Sequence, residues 1–292
     1  MTAFASRIKS VMFIGAATLL AAPSVYGQDD LVERGKYLTY AGGCISCHTE
    51  EADDAAPLAG GRAMETPFGT FYSPNITPDE ETGIGGWSED DFVNAFWEGV
   101  SPDGEHYFPS FPYTAYTGAS RQDLLAIRAY LMSLEPVPNE SPGHDLAWYM
   151  GTRLAAGGWK ALNFESGRFE PDPEKDEQWN RGAYLVRHLG HCGECHTPRS
   201  ATGVLVADEE FAGSEFGDEH IPNISSHRVD GIGRWSLSDI EYFLDIGMLP
   251  DGDFTGSSMV AVIEDNTSKL TREDRLAIAA YLKSVTSVEN AN

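Results

Sequence analysis

Apolar residues recur at helical spacing in two segments of this 292-residue chain, 121–134 and 269–285. Apolar side chains three or four positions apart form one face of an α-helix, so both segments are predicted to be amphipathic helices. Thr271 is the expected N-cap of the second helix, and a further helix is predicted over 30–40. Strand signals are weak throughout, and the predicted fold class is therefore mainly α. The apolar stripes comprise Leu124, Ile127, Tyr130, Leu131 and Leu134 in the first segment and Leu276, Ile278, Ala279 and Leu282 in the second.

All four cysteines of the chain lie in two copies of one motif, C-x-x-C-H, and none is left over. This spacing is typical of c-type haem attachment, because each thiol adds to one haem vinyl group and the adjacent histidine binds the iron. A thioredoxin-like site would need a βαβ pattern, which the sequence lacks. A zinc site would pool ligands from both pairs, but a histidine after both pairs favours haem. Two covalently attached haem c groups are predicted. Their attaching thiols would be those of Cys44, Cys47, Cys192 and Cys195, and their proximal iron ligands His48 and His196.

A tandem repeat runs through the chain, with its two motifs 148 positions apart from Cys44 to Cys192. Each copy opens with Arg-Gly-x-Tyr-Leu and closes with Asp-x-x-x-x-x-x-Tyr-Leu, which indicates that one fold occurs twice. We predict one domain over 28–135, a second over 178–288 and a tail over 289–292. The intervening 136–177 is rich in proline and aromatic residues and is predicted to be an ordered linker packed against both domains. Further matched pairs are 74–76 with 222–224, 83–88 with 231–236, and 99–104 with 247–252.

The N-terminus has the pattern of a secretory signal peptide. Arg7 and Lys9 precede an apolar run over 11–22, which is too short to span a bilayer, and small residues lead to Gly27. Cleavage near Gly27 is predicted, with a retained N-terminal anchor as the alternative. The protein is therefore expected to be exported, and no other long apolar stretch suggests a membrane span in the mature chain.

Acidic residues greatly outnumber basic ones, 45 to 20, for a formal net charge of −25. This balance argues against nucleic-acid binding, which requires clustered positive charge. It favours a partner with a basic docking face, whose association would be sensitive to salt.

The order of motifs resembles class I cytochromes c. More closely, it resembles the multihaem cytochrome c subunits that serve periplasmic dehydrogenases of the alcohol and gluconate type. Those subunits carry three haems, whereas this chain has motifs for two. The resemblance implies that the opening and closing helices of each copy cross, with Gly35 approaching Tyr130 and Gly182 approaching Tyr281. It also implies a periplasmic location.

The resemblance implies a methionine from a late loop as the second axial ligand of each haem. Met259 is the candidate in the second copy, with Met248 as a competitor and core packing as the alternative role. The equivalent position in the first copy is Phe111, which cannot bind iron. Either another side chain replaces it, with His106 nearest, or that iron is five-coordinate beneath an aromatic side chain. His106 could equally be a solvated loop histidine, and weaker candidate ligands are Met64 and Met132.

Four other residues at equivalent positions are candidate contacts of the haems. By resemblance, Trp87 and Trp235 would donate an indole N–H to a haem propionate, or else pack on the haem edge. Asn75 and Asn223 would either bind a propionate or cap a turn. A histidine cluster around the second copy could hold a metal but is more consistent with loop histidines. Its members are His188, His191, His220 and His227.

The predicted function is that of a periplasmic dihaem cytochrome c that relays electrons between a dehydrogenase and a terminal acceptor, such as a cytochrome or oxidase. The alternative is a catalytic cytochrome whose first haem binds peroxide or a sulfur oxyanion, with His106 and Arg62 as candidate distal groups. A gas-sensing module is a third possibility, but no output domain accompanies the repeats. The state of the first haem iron, closed or open, distinguishes the relay from the catalyst.

Overall fold

The structure is a computed structural model that describes residues 27–148, 151–216 and 219–291. The predicted signal peptide, except Gly27, lies outside the described residues, as does Asn292 of the predicted tail. Among the helices of the described ranges, none is long and apolar enough to cross a membrane.

The described chain is mainly helical, as the sequence predicts, with short strands between the helices. The helices are α1 (Gln28–Ala41), α2 (Cys44–His48), α3 (Glu89–Glu98), α4 (Tyr113–Tyr116), α5 (Arg121–Leu131), α6 (Arg153–Asn163), α7 (Glu177–Tyr184), α8 (Gly193–His196), α9 (Leu237–Ile246), α10 (Ser258–Asp265) and α11 (Arg272–Leu282). The strands are β1 (Ala63–Thr66), β2 (Gly69–Tyr72), β3 (Asp145–Leu146), β4 (Ser214–Phe216) and β5 (Glu219–Ile221). A π-helical turn, Leu185–Leu189, continues α7.

Two pairs of helices cross at glycine, as the family resemblance implies. Helix α1 packs on α5, and α7 packs on α11. A Cβ atom on Gly35 would lie 1.8 Å from the carbonyl oxygen of Ala126, and a Cβ on Gly182 would lie 2.0 Å from that of Ala277. These distances are far below van der Waals contact, so only glycine allows the two backbones to approach so closely.

Equivalent helices of the two copies begin after the serine of the repeated Trp-Ser pair and end at a repeated glycine. Ser88 and Ser236 are the N-caps of α3 and α9, and each forms a capping box with the aspartate three residues later. Gly99 and Gly247 end these helices in the left-handed conformation, with φ of 59° and 76°. Thr271 caps α11 as predicted, because its side chain accepts a hydrogen bond from a backbone N–H of the first turn.

The segment between the two halves contains a helix that the sequence did not predict. Helix α6 includes Gly157 and Gly158, two adjacent residues that disfavour a helix. It contacts both halves. Lys160 Nζ donates to the carbonyl of Glu98, and Trp159 Nε1 donates to that of Thr202. Tertiary packing therefore stabilises a helix whose intrinsic propensity is weak.

One cluster of buried apolar side chains extends across both halves. Leu38 of α1 and Leu131 of α5 belong to it, together with Val186 of the π-helical turn and Ile278 of α11, and each is at most 5 % exposed. The two halves therefore share a core and are packed directly against each other.

Candidate haem-binding sites

Each C-x-x-C-H motif forms a short helix that directs its histidine toward the loop of the repeated Pro-Asn-Ile sequence. The motifs are helix α2 and, except for its first cysteine, helix α8. All four thiols are free of disulfide bonds. Burial raises the pKa of Cys44 to about 12, so this thiol is protonated at neutral pH.

The two motif histidines have the same hydrogen bond in both halves. Nδ1 of His48 lies 2.7 Å from the carbonyl oxygen of Pro74, and Nδ1 of His196 lies 2.7 Å from that of Pro222. A carbonyl oxygen only accepts, so Nδ1 must carry the proton and donate, which leaves the lone pair of Nε2 for a metal. Burial lowers the pKa of both imidazoles and favours this neutral form. The free thiols and oriented histidines fit two haem c groups.

Asn75 and Asn223 hold the loops that supply these carbonyl groups. The side-chain oxygen of Asn75 accepts from the backbone N–H of Thr77, and its Nδ2 donates to the carbonyl of Val137 at 2.7 Å. Asn223 accepts from the N–H of Ser225 in the same way, and its Nδ2 donates to the carbonyl of Val288 at 2.9 Å. These contacts are those of the turn-capping alternative, and the propionate role of either asparagine stays a prediction.

Trp87 and Trp235 occupy equivalent places at the edge of the shared core. Their backbone carbonyls accept hydrogen bonds from Arg128 and Lys283, near the ends of α5 and α11. Both rings are partly buried against the core. Within the described chain neither indole N–H donates a hydrogen bond, so both remain available for the proposed propionate contact.

Met259 lies at the start of α10, and a hairpin connects this helix to the second motif. Ser214 of β4 donates to the carbonyl of Cys195 at 2.5 Å. Glu219 of β5 accepts from the backbone N–H and the hydroxyl of Ser258 at 3.0 and 2.8 Å. Ser257, with φ of +57°, turns the chain into α10. Through these hydrogen bonds, the hairpin of β4 and β5 joins the first turn of α10, which contains Met259, to the second motif.

Phe111 belongs to a cluster of aromatic rings beside the first motif. Its ring centroid lies 5.2 Å from that of Phe96, 5.7 Å from that of Tyr107 and 5.5 Å from that of Tyr116. Tyr116 in turn donates its hydroxyl to the carbonyl of Gly42 at 2.6 Å, two residues before Cys44. The position equivalent to Met259 is therefore filled by packed aromatic side chains.

His106 lies on the α6 side of the same loop. A Cβ on Gly157 would lie 2.4 Å from the Cδ2 atom of His106, which shows how closely the ring packs on this helix. The Nδ1 atom of His106 is buried and has no hydrogen-bond partner in the described part of the chain. Met64 is in β1 beside a small apolar cluster formed with Phe108, and Met132 follows α5.

The four histidines around the second copy have separate partners. His188 donates to the carbonyl of Ala115, His191 packs edge-on against Tyr116, His220 pairs with Glu215, and His227 pairs with Asp230. Over the described ranges, no three His, Cys, Asp or Glu side chains are grouped so that they could hold a metal ion. The structure thus gives the metal-cluster alternative no support.

Sequence reasoning missed the contacts that each motif makes with the opposite half. Ser46 Oγ accepts from Asn266 Nδ2 at 2.9 Å, and Glu194 accepts from Thr114 at 2.8 Å. Ser46 and Glu194 occupy the same position of the two motifs. The only signal in the sequence was that the two copies differ at both positions between their cysteines, Ile-Ser in one and Gly-Glu in the other. Arg62, a candidate distal group, forms an ion pair with Glu51 at 2.5 Å near the first motif.

Comparison with known proteins identifies the family. The family model for cytochrome c matches residues 32–135. A "diheme cytochrome c-type" protein of Cereibacter sphaeroides is 42 % identical over 294 residues, covering 96 % of this chain and 96 % of that protein. The gluconate 2-dehydrogenase cytochrome c subunit of Pantoea cypripedii is 37 % identical over 95 % of this chain. The alcohol dehydrogenase (quinone) cytochrome c subunit of Gluconobacter oxydans is 35 % identical over 97 % of it.

This chain spans 65 % of the gluconate dehydrogenase subunit and 60 % of the alcohol dehydrogenase subunit, so it is shorter than either relative. It spans nearly the whole length of the diheme protein. Taken with the two motifs and their equivalently bonded histidines, these similarities show that the chain belongs to the cytochrome c family.

Proposed function

We propose that this chain is an exported dihaem c-type cytochrome that relays electrons in the periplasm. The observation that supports this most directly is the matched pair of motif histidines, each with Nδ1 bonded to a proline carbonyl at 2.7 Å and Nε2 left for iron. When bound, each haem supplies an iron that gains and loses one electron. Cys44 and Cys47 would hold one haem, and Cys192 and Cys195 the other.

The relatives support a role between a dehydrogenase and an acceptor. Several are named as cytochrome c subunits of gluconate, fructose or alcohol dehydrogenases. We infer that this chain likewise accepts electrons from a dehydrogenase and passes them to another redox protein, itself acting on no substrate. Its acidic surface favours a donor or acceptor with a basic docking face.

The haem count and the state of the irons test this proposal. We expect the purified protein to contain two haems per chain, and we expect carbon monoxide to leave the spectrum of the fully reduced protein unchanged. The reason is that a relay functions with both irons closed by protein ligands. Binding of carbon monoxide by one haem would instead support the catalytic alternative, and fewer than two haems would contradict the dihaem proposal.

Met259 and His106 are the proposed distal ligands of the second and first haem, and single substitutions test them. Met259→Ala is expected to open one iron to carbon monoxide. It should also lower one midpoint potential by about 0.1 V or more, because axial ligands shift haem potentials over a span of roughly 0.8 V.

His106→Ala should open the other iron to carbon monoxide. The Nδ1 atom of His106 is buried without a hydrogen-bond partner among the described residues, as expected of an atom that binds an iron. His220→Ala is the control, because His220 is exposed and paired with Glu215.

The Met259 test has its own contrary outcome. A carbon monoxide spectrum of Met259→Ala identical to that of the unmodified protein would show that Met259 is only a packing residue.

A further inference from the structure

Two tyrosines reach across from one half of the chain to the other in the same way. Tyr37 of α1 donates its hydroxyl to Oδ2 of Asp274 at the start of α11, at 2.6 Å. Tyr184 of α7 donates its hydroxyl to Oδ2 of Asp123 at the start of α5, at 2.7 Å. Both tyrosines occupy the same place in the repeated Arg-Gly-x-Tyr-Leu sequence. The contacts are therefore reciprocal.

The same two hydroxyls also cap the helices that they reach. Tyr37 Oη accepts from the backbone N–H of Thr271 at 3.2 Å, and Tyr184 Oη accepts from that of Ser120 at 3.1 Å. Thr271 and Ser120 are the N-cap residues of α11 and α5. Each tyrosine thus satisfies a backbone donor of the opposite half that the helix itself leaves unpaired.

Each aspartate is also bound by an arginine of its own half. Arg34 lies 2.5 Å from Asp123, and Arg181 bonds Asp274 through two nitrogen atoms at 2.8 and 2.6 Å. Burial would raise the pKa of Asp274, but the hydrogen bonds from Arg181 and Tyr37 outweigh it and keep the pKa below its usual value. The carboxylate therefore remains charged, which strengthens the hydrogen bond from the tyrosine.

Equivalent residues of the two halves meet directly between the two motifs. Gly43 and His191 are 148 positions apart, and a Cβ on Gly43 would lie 3.6 Å from His191 Nε2. A Cβ on Gly42 would lie 4.0 Å from the carbonyl oxygen of Leu189, and one on Gly190 would lie 3.7 Å from that of Ala41. Reciprocal contacts of this kind define an isologous interface, here formed within one chain.

This interface borders both haem motifs. Gly43 and His191 immediately precede the first cysteine of each motif. Ser46 and Glu194, which share one motif position, each form a hydrogen bond with the opposite half. An internal two-fold axis therefore passes between the motifs, and the position of one haem relative to the other depends on how the two halves are joined.

We propose that Tyr37 and Tyr184, with Asp274 and Asp123, form a two-fold tyrosine lock that fixes the distance between the two haems for electron exchange. This inference rests on the proposed relay function. The tyrosines are positioning residues, since they act through the packing of the halves. Each aspartate keeps its own arginine when a tyrosine hydroxyl is removed, so a Tyr→Phe substitution removes only hydrogen bonds that join one half to the other.

The variants Tyr37→Phe, Tyr184→Phe and the double variant test the lock in the haem-loaded full chain. Tyr130→Phe is the matched control, because Tyr130 is a half-buried tyrosine of α5 whose hydroxyl has no hydrogen bond in the described part of the chain. The first measurement is hydrogen exchange of two interface segments, 113–119 and 185–191, whose amides do not bond either hydroxyl.

We expect exchange in these two segments to be roughly tenfold faster in each single variant and faster still in the double variant. This is the order of magnitude for loss of a hydrogen bond to a charged group. The control should match the unmodified protein. Unchanged exchange in the double variant, or equal acceleration by Tyr130→Phe, would overturn the lock.

The second measurement is electron transfer between the haems after photochemical injection of one electron. The double variant is expected to equilibrate several-fold more slowly, with both midpoint potentials unchanged. An unchanged rate despite faster hydrogen exchange would overturn the positioning role. A chain found to carry one haem would refute the relay proposal, while faster exchange in the same variants would still support the lock between the halves.

Discussion

Gly35→Ala is expected to lower the free energy of unfolding by about 3 kcal/mol or more, although alanine normally stabilises a helix. The new methyl group would lie 1.8 Å from the carbonyl oxygen of Ala126 and 2.9 Å from Cβ of Tyr130. Neither the backbone of α5 nor a Cβ atom can move aside without separating α1 from α5. Denaturant titration of the holoprotein measures the change.

Gly158→Ala is the control, since it also lies within a helix but has open space around it. It is expected to raise the free energy of unfolding by about 0.5–1 kcal/mol, because alanine has the higher helix propensity. A stabilising effect of Gly35→Ala would contradict the close crossing of α1 and α5, whereas opposite signs for the two substitutions would support it.

Replacing both Cys192 and Cys195 with alanine is expected to reduce the haem content from two per chain to one. The thiols form the covalent bonds to the haem, and His196 alone provides a single bond to its iron. A group bound only by the folded chain stabilises it, so without the second haem Tm should fall by about 10 °C or more. Haem absorbance per chain and thermal unfolding measure the two effects.

The equivalent change at Cys44 and Cys47 is the matched variant. It should remove the other haem and leave the one attached to the second motif. If the four thiols instead shared one metal ion, the unmodified protein would contain that metal and no haem, and either pair of substitutions would abolish the whole site. The two variants therefore separate the proposed haem sites from the zinc alternative.

The residues proposed to hold the haems could be picked out from the sequence because covalent attachment imposes a short, fixed spacing on the chain. His48 and His196 follow their cysteines directly. In the structure, Nδ1 of each donates a hydrogen bond to a proline carbonyl, which leaves Nε2 available to a metal. The crossing at Gly35 and Gly182 was also predictable, by resemblance. By sequence alone, the amides of Asn75 and Asn223 could serve a ligand or a turn. In the structure they form bonds to distant backbone carbonyls, which no local pattern indicates.

Elements stabilised by distant contacts escaped prediction. Helix α6 contains two adjacent glycines, and its buried residue Ala156 packs on Phe71 and Phe108 from another part of the chain. The antiparallel pairs β1–β2 and β4–β5 have strands of only three or four residues, too short for an alternation of apolar and polar residues to indicate them. His106 is the proposed iron ligand of the first half, where Phe111 stands at the position equivalent to Met259. Its ring packs on α6, a contact that the sequence alone could not indicate.

The sequence by itself determined the haem motifs, the repeat and the mainly helical fold, because each depends on spacing within a few residues or on a fixed offset. Only the tertiary structure decided that each tyrosine of the repeated Arg-Gly-x-Tyr-Leu sequence bonds the opposite half. Tyr37 lies 237 positions from Asp274, and no local pattern specifies a contact over that separation. The joint between the halves is a property of two folded surfaces, formed only once both helix pairs have packed.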